Sequence, residues 1–252
     1  RDDLIGGDSN GGGYSTGYPN DWGWIEFTPA SDDTSILEYV EIYYGGTITG
    51  YSYFGSIYIT DASPTISNSI ITFGGADGIY LSSSALGSSH PILTANTFNN
   101  NSGCISIDPL TALTLTGNVC AGNATNGVSI RAGTINGHAN WNQTNLTYRM
   151  VGDITVANGA SLTIGPGMIF KGTQYRRLIV TGLLNVNGTA ALPVYFTSYR
   201  DDDIGGDTNG GGYTTATAND WGWIEFTPAS DDASTINYAV ISHGGSITGY
   251  SS

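Results

Sequence analysis

Four short stretches decide the fold of this chain: GSIYI at 55–59, GIYL at 78–81, CISI at 104–107 and GVSI at 127–130. Each alternates apolar residues with small or polar ones, which is typical of a β-strand that buries one face. Their equivalent apolar positions, Ile57, Ile79, Ile105 and Val128, follow one another at a nearly even spacing. Because no window shows the apolar stripe of an amphipathic helix, we predict an all-β chain.

One strand type thus recurs every 22 to 26 residues, a period typical of solenoids. It favours a right-handed parallel β-helix, or β-solenoid, with three short strands per coil. Asn68, Asn96 and Asn118 lie between the recurring strands, at a turn where stacked amides could satisfy one another as a ladder. A sandwich or barrel is the alternative, and it would show hairpin turns about every 8 to 12 residues without this longer recurrence.

The chain also contains a long internal repeat. Residues 1–53 return as 200–252 at a constant offset of 199, with 37 of 53 positions identical and no gap. A period of this kind indicates an extended, quasi-one-dimensional architecture. We therefore expect residues 1–252 to form one continuous β-solenoid and to be an excerpt of a longer tandem array. Seven to nine coils per period would give an axial repeat of roughly 35 to 45 Å.

Composition excludes two classes of partner. The formal net charge is −14, which argues against binding to nucleic acid. No apolar stretch reaches the length of about 18 residues that a membrane span needs. The two copies of the repeated segment hold 17 of the 21 acidic residues, so the acidity has a local cause, such as cation binding.

Several further motifs carry a family resemblance. They are GDITV at 152–156, ASLTIGPG at 160–167, PVYFTS at 193–198, RDD at 200–202 and DWGWI at 220–224. With them the chain resembles large bacterial and archaeal surface proteins of the right-handed parallel β-helix repeat type, over residues 141–252 and, by repetition, 1–46. The resemblance implies a β-helix with Gly/Asp-rich insertion loops of the GGDTNGDG calcium type, located outside the cell or on its surface. It does not specify the function, because such coils occur in adhesins, stalks and enzymes.

The acidic insertions at 3–13 and 202–212 suggest calcium sites. Glycines allow a tight backbone, while carboxylates and amides supply hard oxygen ligands. The candidate ligands are Asp3, Asp8, Asn10 and Asp21 in the first copy and Asp202, Asp207, Asn209 and Asp220 in the second. Gly12 and Gly211 stand where the family has a third acid, so we expect weak affinity. A flexible acidic insertion is the alternative.

Tryptophans and acidic pairs are the remaining candidates for function. Strand alternation would turn Trp22 and Trp24, and likewise Trp221 and Trp223, outward as a sugar platform or a fibre contact, unless the insertion covers them. The adjacent acids at 32–33 and 231–232 follow Pro-Ala-Ser and are better explained as turns. Because no catalytic triad or metal trio stands out, we expect the chain not to be an enzyme.

Cysteines and glycosylation motifs leave alternatives open. Cys104 and Cys120 could form a disulfide or could be two buried small apolar residues. Sequons occur at Asn100, Asn123, Asn142, Asn145 and Asn187, and they are usable only where the organism glycosylates.

Together these features predict a calcium-stabilised structural segment of an extracellular fibre or cell-surface stalk. Its partner would be further copies of itself, stacked end to end. A carbohydrate-binding adhesin is the main alternative, with glycans as partners, and a β-helix polysaccharide lyase or hydrolase is the second.

Overall fold

The computed structural model describes residues 2–9, 11–47 and 55–245. These residues form 25 strands and no helix, so no membrane-spanning helix occurs among them. The strands are β1 (Ile25–Phe27), β2 (Ile36–Glu38), β3 (Glu41–Tyr43), β4 (Gly55–Thr60), β5 (Thr65–Ser67), β6 (Ile70–Thr72), β7 (Asp77–Ser82), β8 (Ile92–Thr94), β9 (Thr97–Asn99), β10 (Gly103–Ile107), β11 (Thr114–Thr116), β12 (Val119–Cys120), β13 (Val128–Ile130), β14 (Gly133–Ile135), β15 (His138–Trp141), β16 (Tyr148–Met150), β17 (Ile154–Val156), β18 (Ser161–Ile164), β19 (Ile169–Gly172), β20 (Leu178–Val180), β21 (Leu183–Asn187), β22 (Val194–Ser198), β23 (Ile224–Phe226), β24 (Thr235–Asn237) and β25 (Ala239–Ile241).

Every third strand belongs to one nine-stranded sheet, called the long sheet below, which runs β1-β4-β7-β10-β13-β16-β19-β22-β25. Four shorter sheets of four strands complete the coils: β2-β5-β8-β11, β3-β6-β9-β12, β14-β17-β20-β23 and β15-β18-β21-β24. Strand pairing within these sheets is parallel, so the three-strand coils stack along one axis. The predicted all-β parallel β-helix is confirmed.

The core is a set of apolar stacks inside the coils. In the long sheet Ile57 pairs with Ile79, Ile79 with Ile105, and Ile105 with Val128, and all four are fully buried. Each such side chain contributes about 1.5–3 kcal/mol by leaving water. One continuous hydrophobic cluster joins these stacks from Ile42 to the C-terminal coils, as the alternating pattern predicts.

An asparagine ladder holds one corner of the N-terminal coils. Asn96 and Asn118 are buried, and the side-chain amide of each donates to the Oδ1 of the next asparagine along the axis at 3.1 Å, from Asn96 to Asn118 and from Asn118 to Asn145. Asn68 does not belong to this ladder, contrary to the prediction. It occupies the left-handed region at φ 50°, and the following residue, Ser69, takes the ladder position by donating its amide to Asn96.

A second ladder, which was not predicted, lies at the corner before the long sheet. Asn101 donates to Asn123 at 3.2 Å, and Asn123 donates to Asn126 at 3.0 Å. The same side chains bond backbone groups of the adjacent turns: Asn101 donates to Ile71 O and Asn123 to Phe98 O. All three asparagines are buried, so each ladder satisfies turn groups that water does not reach.

The coil cross-section changes midway along the chain. The side sheets that contain β2 and β3 end at β11 and β12, and those that contain β23 and β24 begin at β14 and β15. Among the sheets of the described residues, only the long sheet continues across this junction.

The two copies of the repeat lie on different faces of the β-helix. The segment Ile-Glu-Phe forms β1 in the long sheet and β23 in a side sheet. β23 follows β1 by 22 strands, and three strands make one coil. The repeat period is therefore seven coils and one additional strand, so the second copy is displaced by one strand position around the axis.

We predict that Asn118→Ala destabilises the N-terminal coils by about 1–3 kcal/mol, because it leaves buried ladder groups without partners. The control is Asn187→Ala, where the side chain is exposed. Urea unfolding of both variants checks this expectation. Equal midpoints for the two variants would show that the ladder contributes no stability.

Candidate functional site

A ladder of aromatic rings crosses the outer face of the long sheet. The Trp24 and Tyr58 ring centroids are 6.4 Å apart with nearly perpendicular planes, and those of Tyr58 and Tyr80 are 5.7 Å apart. Tyr58 and Tyr80 are paired in register on adjacent coils and point away from the core, between buried apolar neighbours. The three half-buried rings form a surface strip across three coils.

Charged groups continue this strip. The Arg131 guanidinium lies 3.8 Å from the Tyr80 ring centroid, and its Nη1 donates to Ser106 Oγ at 2.9 Å. Such a cation over an aromatic face is stabilised by the ring quadrupole. Asp77 lies beside these groups, and burial raises its pKa to about 6, against the opposing effects of Arg131, a hydrogen bond from Ser106 and Arg149.

Further along the axis, two bases occupy the outward positions of the long sheet. Arg149 pairs in register with Lys171, and both side chains are buried although they face away from the core. Burial lowers the pKa of each. The second insertion loop, residues 201–219, lies over this region and receives hydrogen bonds from Lys171.

Within the first insertion loop, residues 2–20, and at Asp21 directly after it, the predicted acidic ligands accept hydrogen bonds from the loop backbone. Asp3 accepts from the amide of Ser15 at 2.6 Å, Asp8 from Gly13 at 2.9 Å and Asp21 from Tyr18 at 2.8 Å. Asn10 lies outside the described residues.

The second loop repeats this pattern. Asp202 accepts from the amide and hydroxyl of Thr214, Asp207 from Gly212 at 3.1 Å and Asp220 from Thr217 at 2.8 Å. Asn209 donates to the Thr214 hydroxyl at 3.1 Å, which links it to Asp202. Among the described residues, no three histidine, cysteine or acidic side chains are grouped as a metal site. Calcium binding at these positions stays a prediction.

The four tryptophans of the repeated segment differ in exposure. Trp22 is 38% exposed and Trp221, its equivalent in the second copy, is 1% exposed. Both indole N–H groups donate to a carbonyl at 2.7 Å, of Tyr43 and Ser242 respectively. Trp221 is therefore a core residue and not the surface contact that alternation predicted. Trp24 joins the aromatic ladder, and Trp223 lies 5.8 Å from the Arg177 guanidinium.

Cys104 and Cys120 form a disulfide with Cα atoms 5.9 Å apart. Among the sequon asparagines, Asn100, Asn142 and Asn187 are exposed. Asn123 is buried in the second ladder, and Asn145 donates to Asn118 O at 3.3 Å in the first. Both amides are engaged in ladder hydrogen bonds, with which a glycan would compete.

A cavity of about 550 Å³ opens where the coil cross-section changes. Leu113, Trp141 and Tyr148 contribute its apolar wall, and His90 and His138 lie at its polar side. Each histidine forms a hydrogen bond with a hydroxyl, His90 with Thr114 at 3.3 Å and His138 with Ser161 at 2.9 Å.

Family comparison agrees with this architecture. Residues 30–165, more than half of the chain, match a family model described as a right handed beta helix region. The chain belongs to the right-handed β-helix family. A second model, described as a pectate-lyase like beta helix domain, matches residues 134–248 of this β-helix protein. No curated protein and no solved structure matches the chain.

Sequence reasoning missed Asp77, Arg131 and Lys171 as parts of one surface. They belong to different coils, and only the pairing register places them on the same outer face. One signal was available: Lys171 follows buried Phe170 in a strand of period two, so it must face outward.

We predict that Asp77→Asn stabilises this β-helix protein at pH 7 by about 1–3 kcal/mol. This is the free energy that corresponds to the rise of the Asp77 pKa on folding. An ordinary Asp pKa of 3.8 rises to about 6 on folding. Between these values the folded state binds a proton that the unfolded state lacks, so stability falls as pH rises through the window. Urea unfolding from pH 4 to 8 tests this, and the variant should lose that part of the slope.

The control for this experiment is Asp232→Asn, which makes the same change at an exposed position and should leave the slope intact. Lower stability of Asp77→Asn than of the parent protein at pH 7 would contradict the prediction.

Proposed function

We propose that this chain is a structural segment of an extracellular fibre or cell-surface stalk built from tandem β-solenoid repeats. The observation that carries the proposal is that both copies of the repeat fold alike on one continuous coil stack. Each copy forms three strands, and in each a tryptophan donates to the carbonyl of the residue 21 positions later. A repeat that folds the same way wherever it lies along the axis can be added in series.

Strand pairing of the second copy supports stacking of further copies. β23, β24 and β25 pair with β20, β21 and β22 on the preceding coil. β1, β2 and β3 are the equivalent strands of the first copy, so in a tandem array they would pair in the same way with a preceding copy of those coils. The partner proposed is therefore another copy of the repeat.

The disulfide supports the proposed location outside the cell. Disulfides such as Cys104–Cys120 persist mainly in oxidising compartments.

The proposal predicts filaments with a defined helical geometry. Seven coils and one strand per period give a rise of about 35 Å per repeat at the strand spacing, with a rotation of roughly a third of a turn. Electron microscopy of the native material measures both values. Compact monomeric particles, or a repeat unrelated to this rise, would disprove the fibre.

Calcium enters the same experiment. Imaging and thermal unfolding are repeated with millimolar calcium and with a chelator. Looser filaments and a lower melting temperature in the chelator are expected if the loops bind calcium. Identical results in both conditions would remove calcium from the proposal and leave the fibre.

The aromatic ladder favours glycan binding as a second function. Sugar rings stack on aromatic faces, and Arg131 and Asp77 offer polar contacts beside Trp24, Tyr58 and Tyr80. The pectate-lyase-like match also supports a polysaccharide-degrading enzyme as a third candidate. Release of reducing ends from pectin-like polymers would distinguish the enzyme from a lectin-like adhesin.

For the adhesin, we predict that Tyr80→Ala weakens binding on a glycan array at least about tenfold, which is a loss of about 1.4 kcal/mol. Tyr14→Ala removes a ring that is 73% exposed and outside the ladder, so it should bind like the parent protein. An array without any bound glycan rules the adhesin out.

A further inference from the structure

The two insertion loops share several internal hydrogen bonds but have different surroundings. In each loop, one aspartate bonds an amide twelve residues later and another bonds a glycine amide five residues later. These aspartate bonds are therefore internal to each loop. What differs is the surface beneath the loop.

The second loop is seated on the outer face of the long sheet. The amide of Asn126 donates to Thr208 O at 3.1 Å, and its side chain donates to Asp207 O at 3.1 Å. The Thr147 hydroxyl donates to Gly205 O at 2.8 Å. These contacts join the loop to two coils that precede it along the chain.

A buried ammonium completes the seat. The Lys171 side chain is fully buried, and its Nζ donates to the carbonyls of Asp201 at 2.7 Å and of Gly206, and lies 4.0 Å from Asp202 Oδ1. Burying a charge is unfavourable unless oxygens replace its water. The loop supplies these oxygens, and Lys171 in turn offsets the loop's negative charge. The Lys171 ammonium thus contacts the loop oxygens as a bound cation would.

The first loop has the shape for the same seat but is open to solvent. Ile5 is 73% exposed, whereas its equivalent Ile204 is half-buried. Ser9 is exposed, whereas its equivalent Thr208 is 2% exposed. The seat within this chain is already occupied by the second loop, so a seat for the first loop would have to come from another copy of that surface.

We propose that the acidic loop is a clasp between consecutive repeats, which binds the surface formed by Asn126, Thr147 and Lys171 of the repeat before it. The partner of residues 2–20 is thus a second copy of the coils at 123–199. This inference rests on the proposed tandem array and adds the contact that joins its units. Because the copies are displaced by one strand position, successive clasps lie on successive faces.

A lengthened chain tests the clasp. Residues 54–199 are added directly before Arg1, which recreates the natural junction between residues 199 and 200. Amide hydrogen exchange of the first loop is compared with that in the 252-residue chain. We expect the first-loop amides to exchange at least about tenfold more slowly in the longer chain. Unchanged exchange in a folded longer chain would overturn the proposal.

Variants assign the effect to the seat. Lys171→Met in the added segment should restore fast exchange in the first loop alone, and the same change in the original segment should do so in the second loop alone. Arg176→Met, at an exposed base, should change neither. If Lys171→Met prevents folding, Thr147→Val removes one hydrogen bond to the loop and should give a smaller effect of the same kind. Loops insensitive to both seat variants would refute the clasp.

Filament imaging combined with the exchange data distinguishes the clasp proposal from the fibre proposal. Regular filaments whose loops stay unprotected would refute the clasp and leave the fibre. Protected loops in chains that never form filaments would refute the fibre and leave the clasp.

Discussion

The structure depends on registered parallel pairing between one coil and the next. Because side chains alternate along a strand, a shift of one residue would turn every buried side chain outward. The register that stacks Ile57, Ile79, Ile105 and Val128 therefore also aligns everything on the outer face. Core and surface are two consequences of one pairing pattern.

At the corners of each coil, strand pairing alone does not satisfy the backbone groups. A chain that turns sharply three times per coil leaves backbone amides and carbonyls without strand partners. The two asparagine ladders supply both a donor and an acceptor at each step, so one side chain satisfies its own turn and the next. Asn126 ends the second ladder and also donates to the loop at Asp207. The corner network thus connects the coil interior to the insertion that crosses its outer face.

Charge follows the same logic. Four-fifths of the acids lie in the repeated segment, and the bases Arg149 and Lys171 lie on coils between the copies. Folding places the second acidic loop over Lys171 of a preceding coil. In the second loop, the Lys171 ammonium therefore serves as an internal cation. The first loop forms the corresponding aspartate bonds while it is exposed.

Much of the architecture was determined by sequence alone. Period-two strands and their recurrence once per coil predicted the parallel β-helix, and the constant offset between the two copies located the equivalent segments, because both patterns depend on local chemistry that every coil repeats. Tertiary structure alone decided three other features. It placed Ser69 instead of Asn68 in the ladder, it buried Trp221 but not Trp22, and it brought Lys171 beneath the second loop. Each depends on which residue of one coil lies over which residue of another, and that register is set by stacking rather than by any single segment.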